Sequence, residues 1–229
     1  MAIDDPAPGL AVPAWIRGLI FDCDGTLVDT LPLHYAAWSE TFAELGLSCP
    51  LEFLLRHNGK PTDRIVALYN TEFNQAIDIK QFTEDKERRT YARLDLAQPL
   101  EPVAALARRY YGHLPMAVVS GSNRANVERA LRAAGLRELF PVALTADDGL
   151  PPKPAPDLFL EAARQIDVDP HYCQVFEDAD SGLEAARQAG MRATDVRPVL
   201  GNQMAVINLR DANLSVPSPA KGEHIGSMP

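Results

Sequence analysis

The sequence predicts an α/β protein built on a doubly wound parallel sheet, a Rossmann-like core, with a small all-helical cap domain inserted into it. Two observations support this fold class. Short apolar runs alternate with segments of helical periodicity over most of the chain, which is typical of a parallel sheet covered by helices. The alternation stops once, between about residues 31 and 97, and then resumes. We therefore expect the helical stretch to be an insertion in the core.

The strands of the core are predicted from short apolar runs, the first of which, R-G-L-I-F-D, ends in an acid. The five runs lie at 17–22, 115–120, 141–145, 174–178 and 193–196. The core helices between them are predicted at about 101–110, 123–134, 156–166 and 180–189. Gly135 and Gly190 each follow such a helix, where a glycine commonly ends it.

The domain boundaries follow from this alternation. We expect residues 1–30 and 98–210 to form a discontinuous core and residues 31–97 to form the cap. Helical segments within the cap are predicted near 33–45, 51–57, 61–74 and 83–95. Residues 211–229 are rich in proline, serine and glycine, and we predict a flexible tail.

The charge and the apolar pattern of the sequence disfavour several classes of partner. The formal charge is −9, from 22 Lys+Arg against 31 Asp+Glu, which disfavours binding to nucleic acid. No apolar run approaches the roughly 20 residues of a membrane span, and the first residues lack the features of a signal peptide. Three cysteines without a C-x-x-C motif suit a reducing compartment. We therefore predict a cytoplasmic protein without a nucleic-acid or membrane partner.

Polar side chains follow the predicted strands at the points where the strands end. In an open parallel sheet, the ligand crevice lies outside these carboxyl ends. An isolated acid there is usually a solvated turn residue or a helix cap, but here three strand ends share the pattern. With a lysine from a loop ahead of a helix, the set is Asp22, Asp24, Ser120, Lys153, Glu177 and Asp178.

Four acids in one crevice repel one another. At about 4 Å and an effective dielectric constant near 20, each pair of like charges costs roughly 4 kcal/mol. A bound cation would relieve the repulsion, and hard oxygen ligands favour Mg²⁺. The sequence therefore predicts a magnesium site at this edge of the sheet.

These residues lie in four motifs that resemble those of the haloacid dehalogenase superfamily of phosphotransferases. The motifs occur in the family's order along the chain. They are F-D-C-D-G-T-L-V-D-T (21–30), V-V-S-G-S (118–122), K-P-A-P-D (153–157) and F-E-D-A-D-S-G (176–182). The helical insertion is similar to the family's small cap. Together with H-N-G-K-P-T (57–62), the motifs look like the β-phosphoglucomutase-like group, most of all its fructose-1-phosphate-type sugar phosphatases.

The resemblance implies a catalytic role for each strand-end residue. Asp22 would attack phosphorus and form a mixed anhydride, and Asp24 would protonate the leaving alkoxide and then activate water. Ser120 and Lys153 would hold the transferring phosphoryl oxygens. Cys23, between the two catalytic acids, would point away from them and pack in the core.

The resemblance also implies how Mg²⁺ is held. The ligands would be Asp22, Asp178 and the backbone carbonyl of Asp24, with Glu177 either a ligand or an acid that orients water. The carbon-attacking dehalogenases of the superfamily need neither the acid at position 24 nor a metal. Asp24 together with Asp178 therefore favours chemistry at phosphorus.

A second set of residues is similar to positions near the substrate in this group. His34 and Trp38 share one face of the first cap helix, and alternatively they are surface or packing residues. Ser122 and Arg124 either contact the substrate phosphate or start a helix. The complete set of substrate-binding candidates is His34, Trp38, Asn58, Gly59, Lys60, Gly121, Ser122 and Arg124.

The type of reaction rests on one cap position. Mutases of the group carry a cap arginine that grips a second phosphate, and Thr62 stands at that position here. This difference favours hydrolysis of a small phosphorylated metabolite, such as a sugar phosphate, over isomerisation. A catalytically silent metabolite-binding module is the remaining alternative, and we expect a monomer or a weak homodimer.

Overall fold

The computed structural model of the chain describes residues 9–201. The strands found there are β1 (Gly18–Phe21), β2 (Val28–Asp29), β3 (Gln98–Pro99), β4 (Met116–Val119), β5 (Val142–Leu144), β6 (Cys173–Glu177) and β7 (Arg192–Asp195). The predicted tail and the parts of the predicted core at 1–8 and 202–210 lie outside the described residues.

The helices alternate with these strands. They are α1 (Leu31–Glu44), α2 (Leu51–Arg56), α3 (Thr62–Glu72), α4 (Ile79–Tyr91), α5 (Glu101–Tyr110), α6 (Arg124–Ala133), α7 (Asp157–Gln165), α8 (Asp180–Gln188) and α9 (Arg197–Leu200). Short 3₁₀ turns occur at Leu94–Leu96, Arg137–Leu139, Ala146–Asp148 and Pro170–Tyr172. Each strand and helix that the sequence predicts in the described part of the core is present.

The central sheet is parallel, with the strand order β5-β4-β1-β6-β7. Successive side chains of β1 point to opposite faces, because the side-chain period of a strand is two. Phe21 packs into a cluster with residues of α5 and α6, whereas Ile20 packs with residues of α7 and α8 on the other face. The sheet is therefore covered by helices on both faces, and the predicted fold class is confirmed.

The two connections between the core and the helical insertion pair with each other. Val28 of β2 lies opposite Pro99 of β3, and Asp29 lies opposite Gln98, in an antiparallel ladder. This ladder was not predicted from the sequence, because each strand has only two residues and β3 contains Pro99, a residue type that rarely occurs within a sheet.

Between these connections, α1 to α4 form a unit with an aromatic core of its own. The Phe42 ring lies 4.4 Å from the Tyr69 ring and 4.7 Å from the Phe82 ring, so three of the helices meet at this residue. Within residues 9–201, no helix is both long enough and apolar enough to cross a membrane.

Candidate active site

The strand ends converge as the sequence predicts. Strand β1 lies between β4 and β6, and Phe21 is in register with Val118 on one side and Phe176 on the other. The backbone N–H of Asp22 donates to the carbonyl of Phe176 at 3.0 Å. The residues that follow these three strands therefore lie side by side at one edge of the sheet.

Lys153 joins two of the strand-end acids. Its Nζ lies 2.6 Å from Oδ1 of Asp22, 2.7 Å from Oε2 of Glu177 and 3.1 Å from the carbonyl of Val119. The Lys153 side chain is 1% exposed. Burial lowers the pKa of the ammonium, but the charges of Asp22 and Glu177 outweigh this and hold it above its ordinary value. Lys153 is therefore a fixed positive charge beside Asp22.

The carboxylate cluster nevertheless carries more negative than positive charge. Burial, and then the charge of Glu177, raise the pKa of Asp22 well above its ordinary value, although Lys153 opposes the shift. Burial and Glu177 likewise raise the pKa of Asp178 to about 7. Three carboxylates share one ammonium, so a second cation would stabilise their ionised forms.

A divalent ion suits the arrangement of these carboxylates. Asp22, Glu177 and Asp178 each offer one oxygen, and the three oxygens lie within 4.8 Å of one another. Carboxylate oxygens at such spacing are ligands that Mg²⁺ prefers. The donor set therefore fits the predicted metal.

Glu177 has less freedom to bind a metal than the other two acids. Its Oε1 accepts the backbone N–H groups of Asp178 at 3.2 Å and of Ala179 at 3.0 Å, while Oε2 accepts from Lys153. A Cβ atom on Gly182 would lie 1.9 Å from Oε2 of Glu177, so only glycine leaves room for this carboxylate. Of the two roles predicted for Glu177, this geometry favours positioning.

Asp24 lies outside the carboxylate cluster. Its Oδ1 accepts the Thr30 hydroxyl at 2.6 Å, and its Oδ2 accepts those of Ser120 at 3.0 Å and Ser122 at 2.8 Å. Nε2 of His34 lies 3.4 Å from Oδ1. Burial raises the pKa of Asp24, yet His34 and the hydroxyl groups outweigh it and hold this pKa well below its ordinary value. The side chain is therefore held away from the cluster, as a proton-transfer role requires.

The neighbours of Asp24 extend into the cap. Nδ1 of His34 lies 2.9 Å from Nζ of Lys86, which donates to Oε1 of Glu87 at 2.9 Å. Oε2 of Glu87 accepts from the side-chain amide of Asn123 in the core at 3.0 Å. A polar chain thus runs from Asp24 through the cap and back to the core.

A cavity of about 250 Å³ lies between the cap and the strand ends. Seven of the eight predicted substrate-binding residues line it: His34, Trp38, Asn58, Gly59, Lys60, Gly121 and Ser122. Among the lining residues, Asn58 donates to Oδ2 of Asp178 at 3.2 Å, and Trp38 is largely buried against Phe42. Contact of the seven lining residues with a substrate stays a prediction.

Arg124 is the exception, since the structure does not bring it to the cavity. Its guanidinium donates to both carboxylate oxygens of Asp148, at 2.7 and 2.8 Å, and to the carbonyl of Ala143 at 3.1 Å. The residue is the first of α6, which matches the other role that the sequence left open, a helix start.

The cap loop packs directly on the core. A Cβ atom added at Gly121 would lie 2.7 Å from the backbone carbonyl oxygen of Gly59. A side chain at position 121 would therefore force the cap loop away.

Cys23 is fully buried in the core, as predicted.

Several polar residues at the site were missed by sequence reasoning. Thr30 makes no side-chain cap hydrogen bond with α1 and instead donates to Asp24. Thr26 donates to Oδ1 of Asp178 at 2.9 Å, and Tyr35 lines the cavity. Lys86 and Glu87 lie in a strongly polar helix with no motif around them, so no sequence signal marked them.

The parallel sheet, the helical insertion and the carboxylates at the strand ends define a class of protein. The chain matches the model of the haloacid dehalogenase-like hydrolase family over residues 19–196, and it belongs to that family. The resemblance expected from the four motifs is confirmed, and with it the prediction of a hydrolase.

Individual relatives place the chain within this family. Fructose-1-phosphate phosphatase YqaB of Escherichia coli (strain K12) is 43% identical over 79% of this chain and 96% of its own length. The β-phosphoglucomutase of Bacillus subtilis (strain 168) is 26% identical over 88% of this chain and 93% of its own length. The crystal structure of CbbY from Rhodobacter sphaeroides in complex with phosphate is similar, with a TM-score of 0.69 and 29% identity over 78% of this chain and 84% of that chain.

Proposed function

We propose that the chain is a Mg²⁺-dependent phosphatase that hydrolyses a small sugar phosphate through an aspartyl-phosphate intermediate on Asp22. The observation that carries this proposal is the different surroundings of the two acids after β1. Asp22 is paired with buried Lys153 among the carboxylates suited to a metal, whereas Asp24 is held apart by hydroxyl groups and His34. One acid is therefore suited to nucleophilic attack and the other to proton transfer.

In the first displacement, a carboxylate oxygen of Asp22 forms a bond to phosphorus while the bond from phosphorus to the sugar oxygen breaks. The leaving oxygen takes its proton from Asp24. A phosphate dianion placed beside Asp24 disfavours the ionised carboxylate and raises its pKa. Asp24 can therefore become protonated when the substrate binds, and it then donates this proton to the leaving oxygen.

In the second displacement, Asp24 accepts a proton from water. The water oxygen forms a bond to phosphorus while the bond to Asp22 breaks, which releases inorganic phosphate and restores both acids. The Lys153 ammonium neutralises negative charge throughout, since it is buried and its pKa is raised. Ser120 would hold the transferring phosphoryl oxygens together with the N–H groups that follow it.

Asp22 and Asp178 would hold the metal, with the backbone carbonyl of Asp24 as a further ligand and Glu177 as a positioning residue. When bound, Mg²⁺ supplies positive charge that stabilises negative charge developing on the phosphoryl oxygens. The chain's own part is to fix these acids in a buried crevice where their mutual repulsion favours a cation.

A sugar monophosphate is the substrate class that the comparisons support, because the relative YqaB is named a fructose-1-phosphate phosphatase. The mutase alternative has support from the similar β-phosphoglucomutase of Bacillus subtilis. Against it, Thr62 stands at the cap position where the mutases of the group carry an arginine. Its hydroxyl donates to Oε1 of Glu87 at 2.5 Å. A cytoplasmic location and a monomeric or weakly dimeric state stay predictions.

The test is phosphate release from a panel of sugar phosphates, with Mg²⁺ and with a chelator, by the native chain, Asp22→Asn and the surface control Asp95→Asn. We expect Mg²⁺-dependent release by the native chain and the control but not by Asp22→Asn. If β-glucose 1-phosphate is instead converted to glucose 6-phosphate in the presence of a bisphosphate primer, the mutase is correct. Ligand-induced thermal stabilisation without any turnover would support the silent binding module.

A further inference from the structure

Glu87 is an acid on the cap wall of the cavity, held in place from both domains. Its Oε1 accepts from Lys86 and from Thr62, both in the cap. Its Oε2 accepts from the side-chain amides of Asn123 and Asn126, both in the core. Four donors therefore fix the carboxylate while it lines the cavity.

Neighbouring groups on the cap favour the ionised form of Glu87. Burial raises the pKa of this carboxyl, but the charges of Lys86 and His34 and the hydroxyl of Thr62 together hold it below its ordinary value. A carboxylate that accepts hydrogen bonds from four donors has no proton to offer to an incoming anion.

The other charges along this part of the cavity do not give its wall a net positive charge. Asp63 and Asp147 also line it, and the lining cations on the cap are Lys60 and Lys86. Lys86 is already engaged by Glu87 and His34. Away from the carboxylates at the strand ends, the described cavity wall thus carries no excess of positive charge.

A nearby guanidinium does not change this balance. Arg124 is the closest arginine in sequence to the cavity residues Ser122 and Asn123, but it points to Asp148 and binds it through two hydrogen bonds. Among the described residues that line the cavity, a second phosphate on a substrate would therefore find the Glu87 carboxylate but no arginine fork of the kind that grips phosphate.

We propose that Glu87 is a specificity-determining residue, whose negative charge restricts the cavity to substrates with a single phosphate and an uncharged, hydroxyl-bearing remainder. A second phosphate or carboxylate on the substrate is rejected by repulsion, whereas uncharged sugar hydroxyl groups meet no such repulsion. The inference rests on the proposed function, in which the reacting phosphate lies beside Asp22.

A purely structural role of Glu87, as a tie between cap and core, makes a different prediction. Loss of a tie would weaken the binding of every substrate alike, whereas loss of the charge would favour only substrates with a second anionic group. Asn123→Ala removes a hydrogen bond of the tie and keeps the charge. Glu84→Gln removes the same charge from an exposed position on the same helix.

The experiment is isothermal titration calorimetry in Mg²⁺ on Asp22→Asn protein, which blocks turnover, with fructose 1-phosphate and fructose 1,6-bisphosphate as the ligands. We expect Glu87→Gln to improve the affinity for the bisphosphate relative to the monophosphate by about tenfold or more, since one repulsive charge pair is removed. Glu84→Gln and Asn123→Ala should leave that ratio within about twofold. Glu87→Asp, which keeps the charge, should retain the discrimination.

Three results would overturn the proposal: an unchanged ratio in Glu87→Gln, an equal change in Asn123→Ala, or no binding of the monophosphate to any folded variant. Circular dichroism and thermal melting establish folding for each variant. Failure of the proposed function has a separate signature, namely the absence of Mg²⁺-dependent phosphate release by the native chain. In that case the two affinities still decide whether Glu87 selects against a second charge.

Discussion

Nζ of Lys153 lies 2.6 Å from Oδ1 of Asp22, and the two side chains are 1% and 8% exposed. The lysine comes from a loop 131 residues beyond the aspartate, and it also reaches Glu177 at 2.7 Å. This buried ammonium is the one cation in direct contact with the carboxylate cluster among residues 9–201. The stability of the metal-free protein should therefore depend strongly on it.

Replacing Lys153 by methionine leaves two buried carboxylates without their partner. Breaking a buried ion pair in this way costs on the order of 3–5 kcal/mol, so we expect a fall of that size in the free energy of unfolding. Urea denaturation in the presence of a chelator measures it, and part of the loss should be recovered in Mg²⁺. The control Lys80→Met removes an exposed pair with Glu84 and should change stability by less than about 0.5 kcal/mol. Equal effects of the two substitutions would contradict the assigned role.

The pH dependence of the metal-free protein should reflect Asp178. Burial and the charge of Glu177 raise its pKa from 3.8 to about 7, so the folded chain holds a proton there that the unfolded chain loses. This contribution to stability is present below pH 3.8 and is lost as the pH rises towards about 7. Mg²⁺ binds the ionised form, so its stabilising effect should grow over the same range.

Thermal melting between about pH 5 and pH 8, with Mg²⁺ or with a chelator, measures this linkage. Asp178→Asn is the matched control, because it cannot titrate, and the difference between the two proteins isolates the one group. If both proteins show the same pH dependence with the chelator, Asp178 does not titrate in this range.

The strand-end acids could be predicted because local sequence fixes their position. An apolar run such as R-G-L-I-F-D makes a buried strand, and the acid at its end must then lie at the edge of the sheet. In a parallel sheet all such edges face the same crevice. Because β1 and β6 are neighbours in the sheet, the acids at their ends lie together, as the sequence predicts. These acids are Asp22, Glu177 and Asp178.

The cap contacts of the site could not be predicted in the same way. His34 and Lys86 are 52 residues apart and meet only because α1 packs on α4. The buried side chains of α4 are Phe82, Lys86 and Thr90, so this face does not read as an apolar stripe. Arg124 shows why the sequence left two roles open for it, since a basic residue beside a phosphate motif points to Asp148 instead of the cavity.

A methyl group added at Gly182 should disrupt the carboxylate cluster, because it would collide with the Glu177 side chain. The added Cβ would fall 1.9 Å from Oε2 of Glu177, the oxygen that accepts from Lys153. We expect Gly182→Ala to cost about 1–3 kcal/mol of stability through overpacking and to lower kcat more than it raises KM. Glu184→Ala, on the exposed side of the same helix, is the control. A Gly182→Ala protein with normal stability and turnover would show that Glu177 can shift without consequence.

Asp24→Asn separates proton transfer from nucleophilic attack. Under the proposed mechanism, a sugar alkoxide needs a proton from Asp24 to leave, whereas p-nitrophenolate is stable without one. We expect the first turnover of a sugar phosphate to slow by about 10²–10⁴-fold, the usual contribution of a general acid, and that of p-nitrophenyl phosphate to slow far less. The second displacement still lacks its base, so the aspartyl-phosphate on Asp22 should accumulate.

Rapid-quench and stopped-flow measurements test this directly. With p-nitrophenyl phosphate, Asp24→Asn should release a burst of p-nitrophenolate equal to the enzyme concentration, followed by slow turnover, and the protein should gain the mass of a phosphoryl group. Asp22→Asn, which lacks the nucleophile, should show no burst with either substrate. If Asp24→Asn slows the first turnover of both substrates equally, the carboxylate acts in binding or in positioning Ser120 and Ser122, to which it is bonded. An unequal effect requires a proton at the leaving oxygen, and Asp24 is then its source.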